Sequence, residues 1–135
     1  MCKLRAVIKP DDGNYGKRLS EWHKRSIAAT APLAESAAAS KPTPNLAFLA
    51  ANLLQDVVPS WEAAKRIPEA TRMAWLRWLD VLIPKRYDYL HAELVQRAAW
   101  LHDSLPKASR PEVLAALRPA TRRAIETEKR SWKAS

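Results

Sequence analysis

Glycine is scarce in this sequence, with two among 135 residues, whereas proline occurs ten times. Tight hairpin turns draw on glycine for their positive φ angles, and proline interrupts the hydrogen-bonded ladder of a central strand. The composition therefore argues against a β-sheet protein. A long apolar run is also missing: none approaches the roughly 18 residues of a membrane-spanning helix, and the polar N-terminus lacks the apolar segment of a signal peptide. We expect a soluble protein that is not exported.

Cysteine is nearly absent, since Cys2 is the only one. One thiol forms no intramolecular disulfide and does not by itself make a thiolate zinc site. The histidines are no better placed, because His91 and His102 would lie about 16 Å apart along one helix, too far to share a metal ion. We expect neither a metal nor a cofactor, and a reducing cytoplasm is the natural compartment.

Catalytic motifs are missing as well. The sequence has no glycine-rich phosphate loop, no nucleophile elbow and no His-Glu-x-x-His pair. His91 and Glu93 have the His-x-Glu spacing of zinc deaminases, but the Pro-Cys-x-x-Cys segment that completes such a site is absent. The sequence thus predicts a protein that is not an enzyme.

Positive charge is what the sequence has in excess, with a formal net charge of +9. Residues 1–25 carry seven Lys or Arg against three Asp or Glu, residues 26–106 carry eight against eight, and residues 107–135 carry eight against three. All of the excess therefore lies at the two ends. This distribution is typical of a folded centre with two cationic segments that can meet a polyanion.

Proline marks the beginnings of the predicted helices, because its missing N–H costs nothing in the first turn. We predict an all-α fold, a compact bundle of five or six helices. Residues 1–43 would form a basic N-terminal arm with one helix and an Ala/Ser/Pro-rich linker, and residues 44–135 a helical core ending in a basic helix. Whether residues 28–43 are helix or linker stays open. Ser109 and Glu112 have the spacing of a capping box. The prolines are Pro44, Pro68, Pro84, Pro111 and Pro119.

The segment from Pro84 to Leu105 is predicted to be one amphipathic helix. At about 100° per residue, its large apolar residues fall on one face and most of its charged residues fall outside that face. The apolar stripe consists of Tyr87, Leu90, Leu94, Val95, Ala98, Leu101 and Leu105.

Trp75 and Trp78 lie in the stretch RMAWLRWLDVLIPKRY, where arginines flank the two indoles. Such a stretch can be a base-stacking surface or the middle of a core. Helical spacing favours the core, because this helix is apolar most of the way round and burying an indole removes about 150–250 Å² from water. Arg72 and Arg77 are then predicted to be solvated edges.

Trp100 falls on the other side of its helix, with Tyr89, Glu93 and Arg97. Two interpretations remain open. The side chain can pack against the N-terminal arm, or Trp100 and Tyr89 can be exposed aromatics that stack on bases or anchor a partner protein, since such residues dominate interface hot spots.

The C-terminal helix has the clearest polar pattern. One stripe of cations, interrupted by Glu126, has basic neighbours beside it, and arginine can fork two N–H groups onto phosphate oxygens. A solvated face is the alternative. The predicted nucleic-acid contacts of this helix are Arg118, Arg122, Arg123, Lys129, Arg130 and Lys133, and those of the N-terminal helix are Lys17, Arg18, Lys24 and Arg25.

Two functions of different classes are compatible with these features. The first is binding of nucleic acid, DNA or RNA, through its phosphate backbone with little sequence specificity, as a subunit of a nucleoprotein complex. The second is a protein-binding adaptor or inhibitor, of the kind that phages and plasmids carry, which presents a basic surface to an acidic partner. A membrane surface is disfavoured because the apolar faces are small and needed for the core.

Overall fold

The computed structural model describes residues 41–134 throughout and, before them, residues 21, 24, 25, 28, 29, 32 and 36. Residues 41–134 contain six α-helices, one short 3₁₀ helix and no strand, which confirms the all-α prediction. The helices are α1 (Pro44–Val57), α2 (Trp61–Lys65), α3 (Glu69–Leu82), α4 (Asp88–Asp103), α5 (Arg110–Ala116) and α6 (Pro119–Ala134), and the 3₁₀ turn (Ile83–Lys85) follows α3.

Helices α1 and α2 each begin after a residue whose side chain caps them, whereas α3, α4 and α5 have no side-chain cap. Helix α1 has Thr43 as its N-cap, whose hydroxyl accepts the Leu46 N–H at 3.2 Å, and Pro44 is its first residue. Such caps satisfy amide groups that have no partner inside the helix. The capping box predicted at the start of α5 is wrong: the Ser109 side chain makes no capping bond, because that residue is itself in a helical conformation.

The predicted helix from Pro84 is corrected by the structure. Pro84 lies in the 3₁₀ turn, and the chain then passes through Arg86 at φ 53° before α4 begins at Asp88. A left-handed residue ends a helix by reversing the sense of the backbone. The single predicted segment is therefore a turn followed by a helix, and Lys85 and Arg86 are exposed at the bend between them.

Helix α4 is the centre of the bundle, since every other helix of residues 41–134 and the 3₁₀ turn pack against it. Its predicted apolar stripe is largely confirmed: Leu94 and Leu101 are buried, and Leu90 is half-buried. Two polar residues outside that stripe, Arg97 and His102, are buried as well. Helix α4 is thus covered on more than one side, which the hydrophobic pattern alone does not reveal.

Helix α3 supplies the largest core side chains. Trp75 and Trp78 are fully buried, which confirms their assignment to the core. The prediction that Arg72 is a solvated edge is wrong, since Arg72 is 8% exposed and its guanidinium donates to the carbonyl and hydroxyl oxygens of Ser104 at the end of α4. Arg77 is exposed, as predicted.

Helix α1 begins at Pro44, and the division of the chain between residues 43 and 44 stays a prediction. Residues 41–43 are not helical, and α1 begins directly after them. Upstream, the described residues 28, 29, 32 and 36 are helical, which favours helix over linker at those positions. Within the described part of the chain, no helix has the length and apolar character needed to cross a membrane.

Candidate functional site

The basic residues of α6, together with Arg118 just before it, divide into two groups. Arg123, Arg130 and Lys133 are exposed on the outer side of the helix. Arg118, which is also exposed, and Lys129, which is half-buried, contact residues of neighbouring helices. The reason is geometric: helical spacing places Thr121 and Ile125, which are buried, beside the stripe that includes Arg118 and Lys129. The stripe predicted from the sequence therefore runs along the edge of the packed face.

Arg118 connects the start of α6 to α3. Its backbone N–H donates to the Asp80 carboxylate at 3.0 Å, and its guanidinium donates to the Asp80 carbonyl oxygen at 3.4 Å. Because Arg118 immediately precedes α6, the Asp80 carboxylate takes the place of an N-cap side chain and faces the positive end of the helix. Arg122, one turn later, is half-buried.

Lys129 is the centre of a polar cluster between α4, α5 and α6. Its ammonium lies 3.3 Å from the Asp103 carboxylate and 2.6 Å from Nδ1 of His102. Arg110 approaches the same Asp103 oxygen at 3.8 Å. Burial lowers the pKa of Lys129, and the Asp103 carboxylate partly opposes that shift. This ammonium is engaged inside the protein.

The contacts of His102 determine its protonation. Nε2 lies 3.0 Å from the Arg110 carbonyl oxygen and must donate to it, so Nδ1 carries no proton and accepts from Lys129. Burial is the main cause that lowers the pKa of His102, and the charges of Lys129 and Arg110 lower it further, while the carbonyl bond and Asp103 oppose them. His102 is therefore a neutral structural residue of the cluster.

Three of the six tryptophans meet beside this cluster. Trp61 of α2, Trp100 of α4 and Trp132 of α6 line an open pocket of about 340 Å³ together with Asp103. The Trp61 indole N–H donates to the Asp103 carboxylate at 2.9 Å, and the Trp132 indole N–H donates to Glu128 at 2.9 Å. Two of the indoles are thus held in a fixed orientation by carboxylates.

Cations lie over two of these indoles. The Arg97 guanidinium carbon is 4.7 Å from the centre of the Trp100 ring, and the Lys65 ammonium is 5.6 Å from that of Trp61. Both distances are in the range of cation–π attraction. Arg97 is itself fixed by the Val58 carbonyl oxygen at 3.1 Å and by an ion pair with Glu93 at 2.9 Å. Burial lowers the pKa of Arg97, and Glu93 opposes that shift.

The structure places Trp100 beside two tryptophans of other helices. Trp100 is half-buried and lines the pocket with Trp61 and Trp132, neither of which the sequence analysis selected. No sequence signal brings them together, because the three residues belong to three helices. Tyr89 is 78% exposed, and 11 residues of helix place it about 16 Å from Trp100, so these two aromatics do not form a pair.

The basic residues predicted near the N-terminus are described in part. Lys24 and Arg25 are helical and exposed, whereas Lys17 and Arg18 lie outside the described residues. Among the residues that the structure describes, no group of three or more His, Cys, Asp or Glu side chains is arranged to hold a metal ion.

Comparison of the chain with protein-family models, with curated proteins and with solved structures finds no match.

Proposed function

We propose that this protein is a non-catalytic nucleic-acid-binding protein that contacts the phosphate backbone with little sequence specificity, as part of a nucleoprotein complex. The observation that supports this best is the outer side of α6, where Arg123, Arg130 and Lys133 are exposed. Among the described residues, Arg123 and Lys133 have no ion-pair partner. Exposed cations without protein partners are available to replace the counterions of a polyanion.

The spacing of these side chains suits an extended polyanion. Arg123 and Lys133 are ten residues apart, which is about 15 Å along the helix axis. Glu126 is exposed between them, whereas Glu128 is occupied by the Trp132 indole. The outer side of α6 therefore has more positive than negative groups over a length of several phosphates.

A second basic element lies next to α6. The 3₁₀ turn packs against this helix, and Lys85 and Arg86 at its end are exposed. Two adjacent elements of the bundle thus each carry exposed cations. Binding to the phosphate backbone without recognition of the bases depends mainly on the number of positive side chains that reach the phosphates, and less on a fixed set of contacts.

A protein-binding adaptor is the second candidate, and one observation favours it. Phe48 and Leu49 of α1 are 54% and 43% exposed, which is unusual for neighbouring large apolar residues on a helix whose other side is buried. A partner protein would cover such side chains, and the basic surface would then meet acidic groups of that partner.

The decisive experiment measures affinity for single- and double-stranded nucleic acid over a series of salt concentrations. The logarithm of the binding constant should fall steeply with the logarithm of salt, by about 0.9 per neutralised phosphate on duplex and about 0.7 on single strands. Replacing Arg123, Arg130 and Lys133 by alanine should make this slope shallower by about 2 to 3. Stability should change little, because the three residues are exposed.

A matched control removes the same charge elsewhere. Lys41, Arg66 and Lys107 are exposed and lie outside α6, so their triple alanine variant keeps the slope while its net charge falls equally. Equal loss of slope in both variants would show that total charge, and not the surface of α6, is responsible. Absence of binding by the unaltered protein at about 50 mM salt would overturn the nucleic-acid proposal in favour of the protein partner.

A further inference from the structure

We infer that the pocket between Trp61, Trp100 and Trp132 holds one unpaired base of a single-stranded nucleic acid. This inference rests on the proposed function and adds a preference to it. A protein that only follows phosphates binds any polyanion of sufficient charge, whereas a base pocket favours single strands over duplex, where the bases are stacked inside the helix.

The size and lining of the pocket suit a flat aromatic ligand. Its volume of about 340 Å³ is within the range of small-ligand sites, about 300–1,000 Å³, and three indoles form most of its lining. Because Trp61, Trp100 and Trp132 come from three different helices, the bundle must fold before the pocket exists.

The hydrogen bonds of the indoles leave their ring faces for the ligand. The N–H groups of Trp61 and Trp132 are already donated to Asp103 and Glu128. The Arg97 guanidinium lies over one face of Trp100 and the Lys65 ammonium over one face of Trp61, so a base that stacks on either ring must use the other face. Stacking therefore replaces hydrogen bonding as the means of recognition, which is tolerant of base identity because every base has a π face.

The charges around the pocket favour a base over a cationic ligand. Of the described residues that line it, Asp103 alone is acidic, and its carboxylate already faces Lys129 at 3.3 Å and Arg110 at 3.8 Å. An aromatic cage for an ammonium group needs electron-rich rings without competing cations. Here Lys65 and Arg97 already lie over two of the three rings.

The pocket and the proposed phosphate surface share helix α6. At about 100° per residue, Trp132 lies about 100° around the helix from Lys133 and almost opposite Arg130, with its ring toward the pocket while those two cations are exposed. A strand whose phosphates contact the outer side of α6 must therefore pass around the last turn of that helix, on the side of Lys133, before one of its bases meets the pocket. A base turned out of that strand reaches the tryptophans without a separate binding event.

The test compares three probes of the same length: an oligothymidylate of about 12 nucleotides, an abasic strand and a duplex, which carries twice as many phosphates as either single strand. The unaltered protein should bind the oligothymidylate about 5- to 150-fold more tightly than the abasic strand, the range expected for one stacked base. The duplex should resemble the abasic strand after correction for its higher charge density. This comparison needs no variant and is independent of any effect on folding.

Variants then assign the preference to the pocket. Trp100→Leu and Trp132→Leu should each reduce the preference for the oligothymidylate and leave affinity for the abasic strand and the slope with salt unchanged. Phe48→Leu is the matched control, because Phe48 is an exposed aromatic residue of α1 that does not line the pocket. Far-UV circular dichroism confirms that each variant is folded.

The outcomes separate this inference from the proposed function. Steep salt dependence with equal affinity for all three probes would overturn the base pocket and leave the phosphate surface intact. Binding of none of the probes would overturn both. Displacement of the oligothymidylate by millimolar tetramethylammonium, beyond the effect of sodium at equal ionic strength, would also overturn the inference, because the pocket would then be a cation site.

Discussion

Helices α3 and α6 carry the same kinds of residue and use them in opposite ways. Both contain tryptophan and arginine at helical spacing. In α3, Trp75 is fully buried and Arg72 donates into the end of α4. In α6, Trp132 is half-buried at the edge of a pocket and Arg123 is exposed.

The polar atoms of the tryptophans show the difference most clearly. The indole N–H groups of Trp75 and Trp78 are buried and have no hydrogen-bond partner in the described part of the chain. Those of Trp61 and Trp132, near the surface, are each bonded to a carboxylate. A core tryptophan therefore stabilises the fold through the apolar area that it buries, despite an unpaired donor, whereas the outer tryptophans are oriented by hydrogen bonds.

The largest expected effect comes from removing a core indole. Trp75→Ala should lower the free energy of unfolding by about 3–5 kcal/mol, because it leaves a large cavity in the middle of the bundle. Trp132→Ala should cost less, since Trp132 remains in partial contact with water. Denaturation in urea, followed by circular dichroism, measures both. Equal losses would mean that α6 is as much a part of the core as α3.

Replacing an arginine should also destabilise the protein more in α3 than in α6, but the difference should be smaller than for the tryptophans. Arg72→Met removes the donors to Ser104 and leaves its carbonyl oxygen without that bond, which should cost about 1–3 kcal/mol. Arg123→Met on α6 should change stability by less than about 0.5 kcal/mol, because that side chain is exposed. Chemical denaturation is again the measurement. A neutral Arg72→Met variant would show that methionine packing replaces the hydrogen bonds fully.

The smallest of these effects is a dependence on pH where α6 meets α4. Burial is the largest cause that lowers the pKa of His102, so at mildly acidic pH this histidine is protonated more fully in the unfolded chain than in the folded protein. Stability should therefore fall as pH decreases below about 6.5, the ordinary pKa of histidine. Protonated His102 would also place Nδ1–H against the Lys129 ammonium. His102→Gln, which does not titrate, should reduce this loss between about pH 7.5 and 5.5.

A second histidine must be controlled in that experiment. Burial and the charge of Arg86 lower the pKa of His91, and a bond to the Ile83 backbone opposes them. His91→Gln should thus also reduce the loss of stability at low pH, and the stability of the double variant should depend least on pH. Thermal denaturation across this pH range distinguishes the two contributions. An unchanged profile in the double variant would assign the acid sensitivity to carboxylates instead.

The sequence was sufficient for the helices and for much of the core. Helical period and proline positions predicted an all-α fold, the burial of Trp75 and Trp78, and the beginnings of α1 and α6. The break before α4 was missed, because the left-handed position there is occupied by Arg86, whereas the sequence signal for such a position is glycine. The burial of Arg72 was missed as well. A hydrophobic pattern treats every arginine as polar, and it does not show that the Arg72 guanidinium donates to the Ser104 carbonyl oxygen.

Other features depend on contacts between helices. The sequence determined that this chain is helical and that its positive charge lies at its ends, because periodicity and composition are local properties. Only the tertiary structure decided which cations in and just before α6 contact other helices, since Asp80, the partner of Arg118, and Asp103, the partner of Lys129, come from α3 and α4. The same holds for the pocket: three tryptophans separated by more than 30 residues each become neighbours only when α2, α4 and α6 pack together.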